Sequence, residues 1–150
     1  MPKMGKQRRE WKITVLGTPK PKQSFKYNSV TGAKYTPEEV LQIESNYRTQ
    51  IVQQLPKGWI PLKGAVAIGM LYVFQPPKSL SKKLLKVIEE GGKVYKTTKP
   101  DLSDNLNKGV MDSVRSILFY DDAQICKVIG MEKIYGLQPR TELTIIDLEE

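Results

Sequence analysis

The first regular element of this 150-residue chain is marked by alternating apolar and polar side chains. Residues 11–15, WKITV, have the two-residue period of a half-buried strand. A Gly- and Pro-containing segment follows at once, and we expect a loop through residues 17–35. The residues before the strand are rich in Lys and Arg, so we expect residues 1–10 to form a flexible basic arm.

Helical periodicity predicts three helices. The first begins with Thr36 as N-cap, Pro37 in the first turn and Glu39 closing a capping box, and it ends before Pro56. The second is a short helix from Leu80 to Glu90, and the third covers residues 104–117. The expected buried stripes are Val40, Ile43, Tyr47, Ile51 and Leu55 in the first helix and Leu106, Val110, Val114 and Ile117 in the third.

Further strands are predicted by apolar runs rich in β-branched residues. Residues 64–74, GAVAIGMLYVF, are typical of a central strand; residues 94–95 form a short one, and residues 125–134 and 141–148 form two more. Strands and helices in this order favour an α/β fold of the α+β type. We therefore expect residues 11–150 to be a single domain with a mixed sheet covered by helices on one side.

Charge is unevenly distributed along the chain. Of the 24 Lys and Arg residues, 19 lie in residues 1–100, where there are six Glu and no Asp. A basic surface attracts polyanions, nucleic acid above all. Lysines also confer solubility, so net charge alone leaves both explanations open.

Two absences restrict the chemistry. The chain has no His and one Cys, Cys126, which excludes His-based catalysis, Cys-based zinc sites and an internal disulfide. No apolar run is long enough to span a bilayer, and no apolar stretch follows the basic first residues as it would in a secretory signal. We therefore expect a cytoplasmic protein without a membrane partner.

Aspartate is concentrated in one short stretch. Five of the six Asp residues lie between Asp101 and Asp122. On the predicted third helix, Asp104, Lys108 and Asp112 recur every four residues and share one face. The pair Asp121-Asp122 follows the helix and could fold back beside that face.

Converging carboxylates repel each other unless a cation lies between them, and oxygen ligands select Mg²⁺ or Mn²⁺. Such a site can cleave phosphodiesters, with Lys108 stabilising the developing negative charge. Each residue also has an ordinary structural explanation: Asp104 can cap the helix or pair with Lys108, and Asp121-Asp122 can form a turn. The chemistry of these residues alone leaves both interpretations open.

The same residues support a family resemblance. The segment KPDLSDNLNKGVMDSV, followed by DDAQI, resembles the signature of RusA-type Holliday-junction resolvases, approximately P-D-x-D-N-L-x-K, D-A-L and D-D-x-Q-V. Near the N-terminus, GTPKPKQSF and the YTP before a helix are similar to the opening of the family. The resemblance extends from Trp11 to Leu148.

The resemblance implies a homodimeric α/β nuclease that uses Mg²⁺, with Mn²⁺ as a substitute, to nick four-way DNA junctions symmetrically in recombination and repair. Such proteins are often encoded in prophages. Asp104 and Asp122 match metal-binding catalytic aspartates, Asp101 matches a third, and Lys108 matches a lysine important for cleavage. Other matching motif positions carry no assigned role here: Asn105, Asp112, Asp121 and Gln124.

One departure from the family pattern concerns Asp101. The family has one residue between its first two aspartates, whereas Leu102 and Ser103 both intervene here. A bulge or turn could absorb the extra residue, or Ser103 could cap the helix, and either geometry keeps Asp101 at the metal. The lysines that we consider as DNA contacts are Lys20, Lys22, Lys26, Lys96 and Lys99.

Two other functions are compatible with the sequence. The extra residue before Asp104 could belong to a catalytically inactive DNA- or junction-binding protein of the same fold. Charge alone would also suit a small RNA-binding protein, but the chain has no run of the kind found in RNA-recognition motifs.

Overall fold

The computed structural model of the protein describes residues 9–19, 26–27, 34–35, 38–102 and 106–149. Its helices and strands, in chain order, are β1 (Arg9–Leu16), β2 (Lys26–Tyr27), β3 (Lys34–Tyr35), α1 (Glu38–Gln54), β4 (Val66–Phe74), α2 (Lys82–Glu89), β5 (Val94–Tyr95), α3 (Asn107–Val114), β6 (Ile125–Tyr135) and β7 (Arg140–Asp147).

A mixed sheet forms the centre of the fold. Its described strands lie in the order β1-β7-β4-β6-β5, with β4 and β6 parallel and every other neighbouring pair antiparallel. β4 is central and almost continuously buried, as its unbroken apolar sequence predicts. The predicted α+β fold with a mixed sheet is confirmed.

The main core lies between this sheet and the helices α1 and α3. Alternate residues of β4, from Val66 to Phe74, belong to it together with Leu143 and Ile145 of β7. Three residues of the third predicted stripe, Leu106, Val110 and Val114, are also buried there. In the first stripe, Tyr47 and Ile51 are buried and Leu55 packs against the core, whereas the side chains of Val40 and Ile43 lie outside the described residues.

Two glutamines of α1 cover part of the outer edge of β1. The side-chain amide of Gln54 bonds the backbone N–H and carbonyl of Thr14, at 2.9 and 2.6 Å. Gln50 bonds the same two groups of Leu16, at 2.8 and 3.3 Å. These amides satisfy backbone groups that a neighbouring strand would otherwise satisfy, so this edge is protected from pairing with another chain.

The structure differs from the predicted elements at several ends. The segment predicted as a loop, residues 17–35, contains the paired strands β2 and β3. α2 begins at Lys82, after the N-cap Ser81, rather than at Leu80. β1 begins at Arg9, inside the segment expected as an arm; residues 1–8 and the capping residues Thr36 and Pro37 lie outside the described residues.

The third helix is shorter than predicted. α3 begins at Asn107 and ends at Val114, because Arg115 leaves the helical conformation and Ser116 adopts a positive φ of 70°. Ile117, which fits the helical spacing, is buried instead in the turn that follows. That turn is bound to the segment before β4 by a hydrogen bond from the Leu62 N–H to the Leu118 carbonyl, 2.8 Å long.

Within the described part of the chain, no helix combines the length and apolar character required to cross a bilayer.

Candidate active site

Two aspartates of the acidic segment converge on one guanidinium group. Arg115 donates to both carboxylate oxygens of Asp122, from Nη2 at 2.9 Å and from Nε at 3.4 Å. The same Nη2 lies 3.5 Å from Oδ1 of Asp112, three residues earlier on α3. The hydrogen bond to Asp122, and then the charge of that carboxylate, raise the pKa of Arg115. Asp112 and Asp122, which are ten positions apart in sequence, are therefore neighbours in space.

A tight turn places Asp122 at the start of β6. The turn is a single 3-10 turn over residues 122–124, capped by Asp121, whose Oδ1 accepts the N–H of Ala123 at 2.8 Å. Gln124 closes the capping box: its Oε1 accepts the N–H groups of Tyr120 and Asp121, at 2.7 and 2.9 Å. Asp121 therefore has a structural role, and Asp122 presents its carboxylate to Arg115.

Gln124 also links this turn to the segment just before β4. Its Nε2 donates to the carbonyl oxygens of Leu62 and Gly64, at 2.8 and 2.9 Å. With the two bonds to Oε1, all four hydrogen bonds that a side-chain amide commonly makes are formed. The position of Asp122 is consequently determined by a residue two positions further along the chain.

Asp101 directly follows a segment that is hydrogen-bonded to β6. Its Oδ2 forms an ion pair of 2.9 Å with Nζ of Lys99. The half-buried Lys133 of β6 donates from Nζ to the carbonyl oxygens of Thr98 and Pro100, at 2.6 and 2.8 Å. These two bonds fix the backbone immediately before Asp101 against the sheet.

The extra residue after Asp101 is spanned by a wide backbone turn. The N–H of Leu106 donates to the carbonyl of Asp101, five residues earlier, at 3.2 Å. Such five-residue closures are of the π type, which adds one residue to an α-helical turn and recurs at functional sites. Of the four residues between the bonded groups, Leu102 is described, whereas Ser103, Asp104 and Asn105 lie outside the described residues. The predicted bulge or Ser103 cap therefore stays untested in its details.

The start of α3 is anchored to the two central strands. The hydroxyl of Tyr72, on β4, donates to Oδ1 of Asn107 at 2.8 Å, and Nδ2 of Asn107 lies 2.7 Å from the sulfur of Met131 on β6. Tyr72 is fully buried, and this burial raises the pKa of its hydroxyl, which favours the protonated form that donates to Asn107. The helix α3, which carries Asp112, therefore begins at a fixed point of the sheet.

The predicted basic site residues have different surroundings. Lys108 is exposed on α3, one turn before Asp112. Lys96 lies over the rings of Phe74 and Tyr135, 5.1 and 5.4 Å from their centroids, and Lys99 pairs with Asp101. Lys20 and Lys22 lie outside the described residues, and only the backbone of Lys26 is described. A role of these lysines in binding DNA stays a prediction.

The three predicted metal ligands are not all among the described residues. Among the described residues there is no group of three or more His, Cys, Asp or Glu side chains that could hold a metal ion. Asp104 is outside that part of the chain, so the set Asp101, Asp104 and Asp122 stays a prediction. The structure brings Asp122 together with Asp112, and the described partner of the Asp101 carboxylate is Lys99.

Sequence reasoning missed three residues that shape this region. Arg115 follows Asp112 by three positions on a helix, a spacing that signals an ion pair and could have revealed it. Gln124 was recognised as a motif position, but its carbonyl partners are about sixty residues away in sequence. Lys133 also binds distant carbonyls, and nothing in the local sequence indicates this.

In this α+β fold, Asp112 of α3 and Asp122 of the turn before β6 lie beside each other at Arg115. The sequence model of the family described as "Endodeoxyribonuclease RusA" matches residues 17–146, and the chain therefore belongs to this family. A protein of Bacillus subtilis (strain 168) named "Uncharacterized protein YqaN" is 30% identical over an alignment of 144 residues, which covers 89% of this chain and 94% of the relative.

Proposed function

We propose that this protein is a divalent-metal-dependent endodeoxyribonuclease that nicks branched DNA, with four-way junctions as its substrate. The observation that carries the proposal is the convergence of Asp112 and Asp122 on one cationic group beside β6. Family membership supports the endonuclease class. The excess of 24 basic over 16 acidic residues supports a polyanionic substrate, because phosphate contacts dominate the affinity of proteins for DNA.

The donor set suits Mg²⁺ or Mn²⁺. Carboxylate oxygens are the ligands that these hard cations prefer, and the side chain of Asp122 is 46% exposed, so an ion can reach it from solvent. We propose Asp104 and Asp122, together with Asp101, as the residues that hold the ion. A bound ion of this kind supplies an activated water and neutralises charge on the scissile phosphate.

The surrounding residues position these carboxylates and the DNA. Gln124 holds the turn that carries Asp122, and Lys133 holds the backbone before Asp101. The exposed ammonium group of Lys108 is proposed to stabilise negative charge that develops on the phosphate. Two other lysines, the half-buried Lys96 and the exposed Lys99, are proposed to contact the phosphates of the junction arms without reading sequence.

A four-way junction requires two symmetric cuts. Two identical sites related by a two-fold axis make them most simply, so we propose a homodimer acting in the cytoplasm in recombination or repair. Sedimentation of the protein at micromolar concentration tests the dimer, and a monomer that still resolves junctions would exclude it.

Cleavage of a labelled four-way junction tests the proposed activity, with a linear duplex of the same sequence as the control substrate. We expect paired nicks with Mg²⁺ or Mn²⁺, none with EDTA and no requirement for Zn²⁺. Ca²⁺ should support binding better than cleavage. Cleavage in metal-free buffer would contradict the carboxylate–metal mechanism.

The second candidate is a junction-binding protein without activity, favoured by the extra residue between Asp101 and Asp104. The same assay separates the two functions, since this candidate predicts junction binding in a mobility shift without nicks under any metal condition.

A further inference from the structure

Arg115 binds Asp122, one of the carboxylates that the proposed function assigns to a metal site. Its described hydrogen bonds go to Asp122 and Asp112, and its two contacts with Asp122 involve both carboxylate oxygens of that residue. A guanidinium that binds a carboxylate through two nitrogens occupies one lone pair on each oxygen and adds a positive charge that repels a metal ion. Arg115 and a metal ion therefore compete for the same oxygens.

We propose that Arg115 is a displaceable counter-ion, which offsets part of the negative charge of Asp112 and Asp122 in the metal-free protein and leaves Asp122 when a divalent cation binds. The proposal rests on the metal-dependent part of the proposed function. It makes Arg115 a positioning residue that lowers the affinity for metal and keeps the acidic pair ordered until the metal arrives.

The location of Arg115 allows it to leave. Its side chain is 46% exposed, so a guanidinium displaced from Asp122 moves into water and not into the core. The residue is the C-cap of α3, and the following Ser116 has a positive φ, so the side chain extends from the end of the helix. Exposed ion pairs of this kind contribute little to folding, and their loss does not endanger the fold.

The charges of the two groups determine what can break the ion pair between Arg115 and Asp122. A guanidinium stays protonated at every pH at which proteins fold, so a rise in pH does not release Asp122 from Arg115. A competing cation does, and a divalent ion has twice the charge of Arg115. Removal of Arg115 therefore eliminates both a competitor and a repelling charge, and metal affinity should rise.

Mn²⁺ binding without DNA tests the proposal, with free Mn²⁺ measured by electron paramagnetic resonance. The proteins are the wild type, Arg115→Gln, Arg115→Lys and the control Arg140→Gln, which removes another arginine from an ion pair, 3.6 Å from Glu142. We expect Arg115→Gln to bind Mn²⁺ about twofold to fivefold more tightly, the range for an exposed charge pair. The Mn²⁺ affinity of Arg115→Lys should lie between those of the wild type and Arg115→Gln. The affinity of Arg140→Gln should equal that of the wild type.

A second measurement observes the side chain directly. In a titration with Mg²⁺, the NMR signal of the Arg115 Nε–Hε group, assigned by its loss in Arg115→Gln, should shift with the saturation of the site. The signal of Arg140 should not move. The titration itself is carried out on the wild type and the variant serves only for the assignment, so this readout does not depend on the metal affinity of a variant.

Failure of this inference differs from failure of the proposed function. Unchanged or weaker Mn²⁺ binding in Arg115→Gln, or an unmoved Nε signal at metal saturation, overturns the role of Arg115 and leaves the nuclease intact. Absence of Mn²⁺ binding to the wild type and to every variant overturns the inference together with the metal-dependent mechanism.

Discussion

The ammonium nitrogen of Lys133 lies 2.8 Å from the carbonyl oxygen of Pro100, the residue immediately before Asp101. A second bond of 2.6 Å, to the carbonyl of Thr98, fixes the same short stretch. Lys133 is on β6, and the turn of residues 122–124 that carries Asp122 leads directly into β6, so both ends of the acidic segment are next to one strand. The described hydrogen bonds of the Lys133 side chain go to backbone carbonyls next to Asp101 and not to the carboxylates of the site.

Lys133→Met should reduce cleavage about tenfold while junction binding stays within about twofold, since a misplaced catalytic group weakens the transition state more than the substrate complex. Loss of two hydrogen bonds should also lower the free energy of unfolding by about 1–3 kcal/mol. Single-turnover cleavage and urea denaturation measure the two effects. Lys127→Met, at an exposed position of the same strand, is the control. A Lys133→Met rate equal to that of the wild type would remove Lys133 from the site.

Gln124→Glu should destabilise the turn that carries Asp122. The substitution keeps the shape but exchanges the amide donor for a carboxylate oxygen, which then faces the carbonyl oxygens of Leu62 and Gly64. Unsatisfied buried acceptors cost about 1–3 kcal/mol, so urea denaturation should show a loss in this range together with slower cleavage. Gln138→Glu, at an exposed position, should leave both unchanged. Equal stability of the two variants would show that the bonds of Gln124 are dispensable.

Asp122→Asn and Asp104→Asn should each abolish cleavage and leave junction binding intact or stronger, because carboxylates hold the metal whereas lysines hold the phosphates. Rates of cleavage and mobility shifts with Ca²⁺ separate the two effects. A variant with more than about a tenth of the wild-type rate would exclude that residue as a metal ligand, since losing a ligand costs several kcal/mol of transition-state stabilisation.

The main elements of the fold were predictable because they follow hydrophobic periodicity. The strands β4, β6 and β7 and the buried stripe of α3 are apolar where the period requires it. The strands β2 and β3 were not predictable, because two-residue strands in a loop rich in Gly, Pro and Lys have no period to detect. The end of α3 was misplaced because Ile117 suits a helix and a turn equally well, and tertiary contacts with the segment before β4 decide between them.

The candidate site was predictable in its residue types but not in its connections. The concentration of aspartate predicted an acidic site, and the structure brings Asp112 and Asp122 to one cation. The bonds that position these groups join side chains to distant backbone carbonyls, as Gln124 and Lys133 do. A backbone carbonyl has no sequence signature, so such partners cannot be inferred from one sequence.

The role of Asp101 depends on how the chain accommodates the residue inserted before Asp104. The bond from the Leu106 N–H to the Asp101 carbonyl spans five residues, one more than an α-helical bond. The wide turn can therefore contain the extra residue while Asp101 stays next to the start of α3. On this geometry Asp101→Asn should impair cleavage as severely as Asp104→Asn.

Lys99→Met is the matched control for this prediction. It removes the partner of the 2.9 Å ion pair but keeps the Asp101 carboxylate, so the single-turnover rate at saturating protein, where a weaker phosphate contact does not matter, should persist if that carboxylate binds metal. If Asp101 serves only to hold Lys99, the two variants should behave alike. Deletion of Ser103 should shorten the turn to an α-helical one and leave measurable activity. A nearly silent Asp101→Asn would restrict the ligands to Asp104, Asp122 and another group, for which the neighbouring Asp112 is the first candidate.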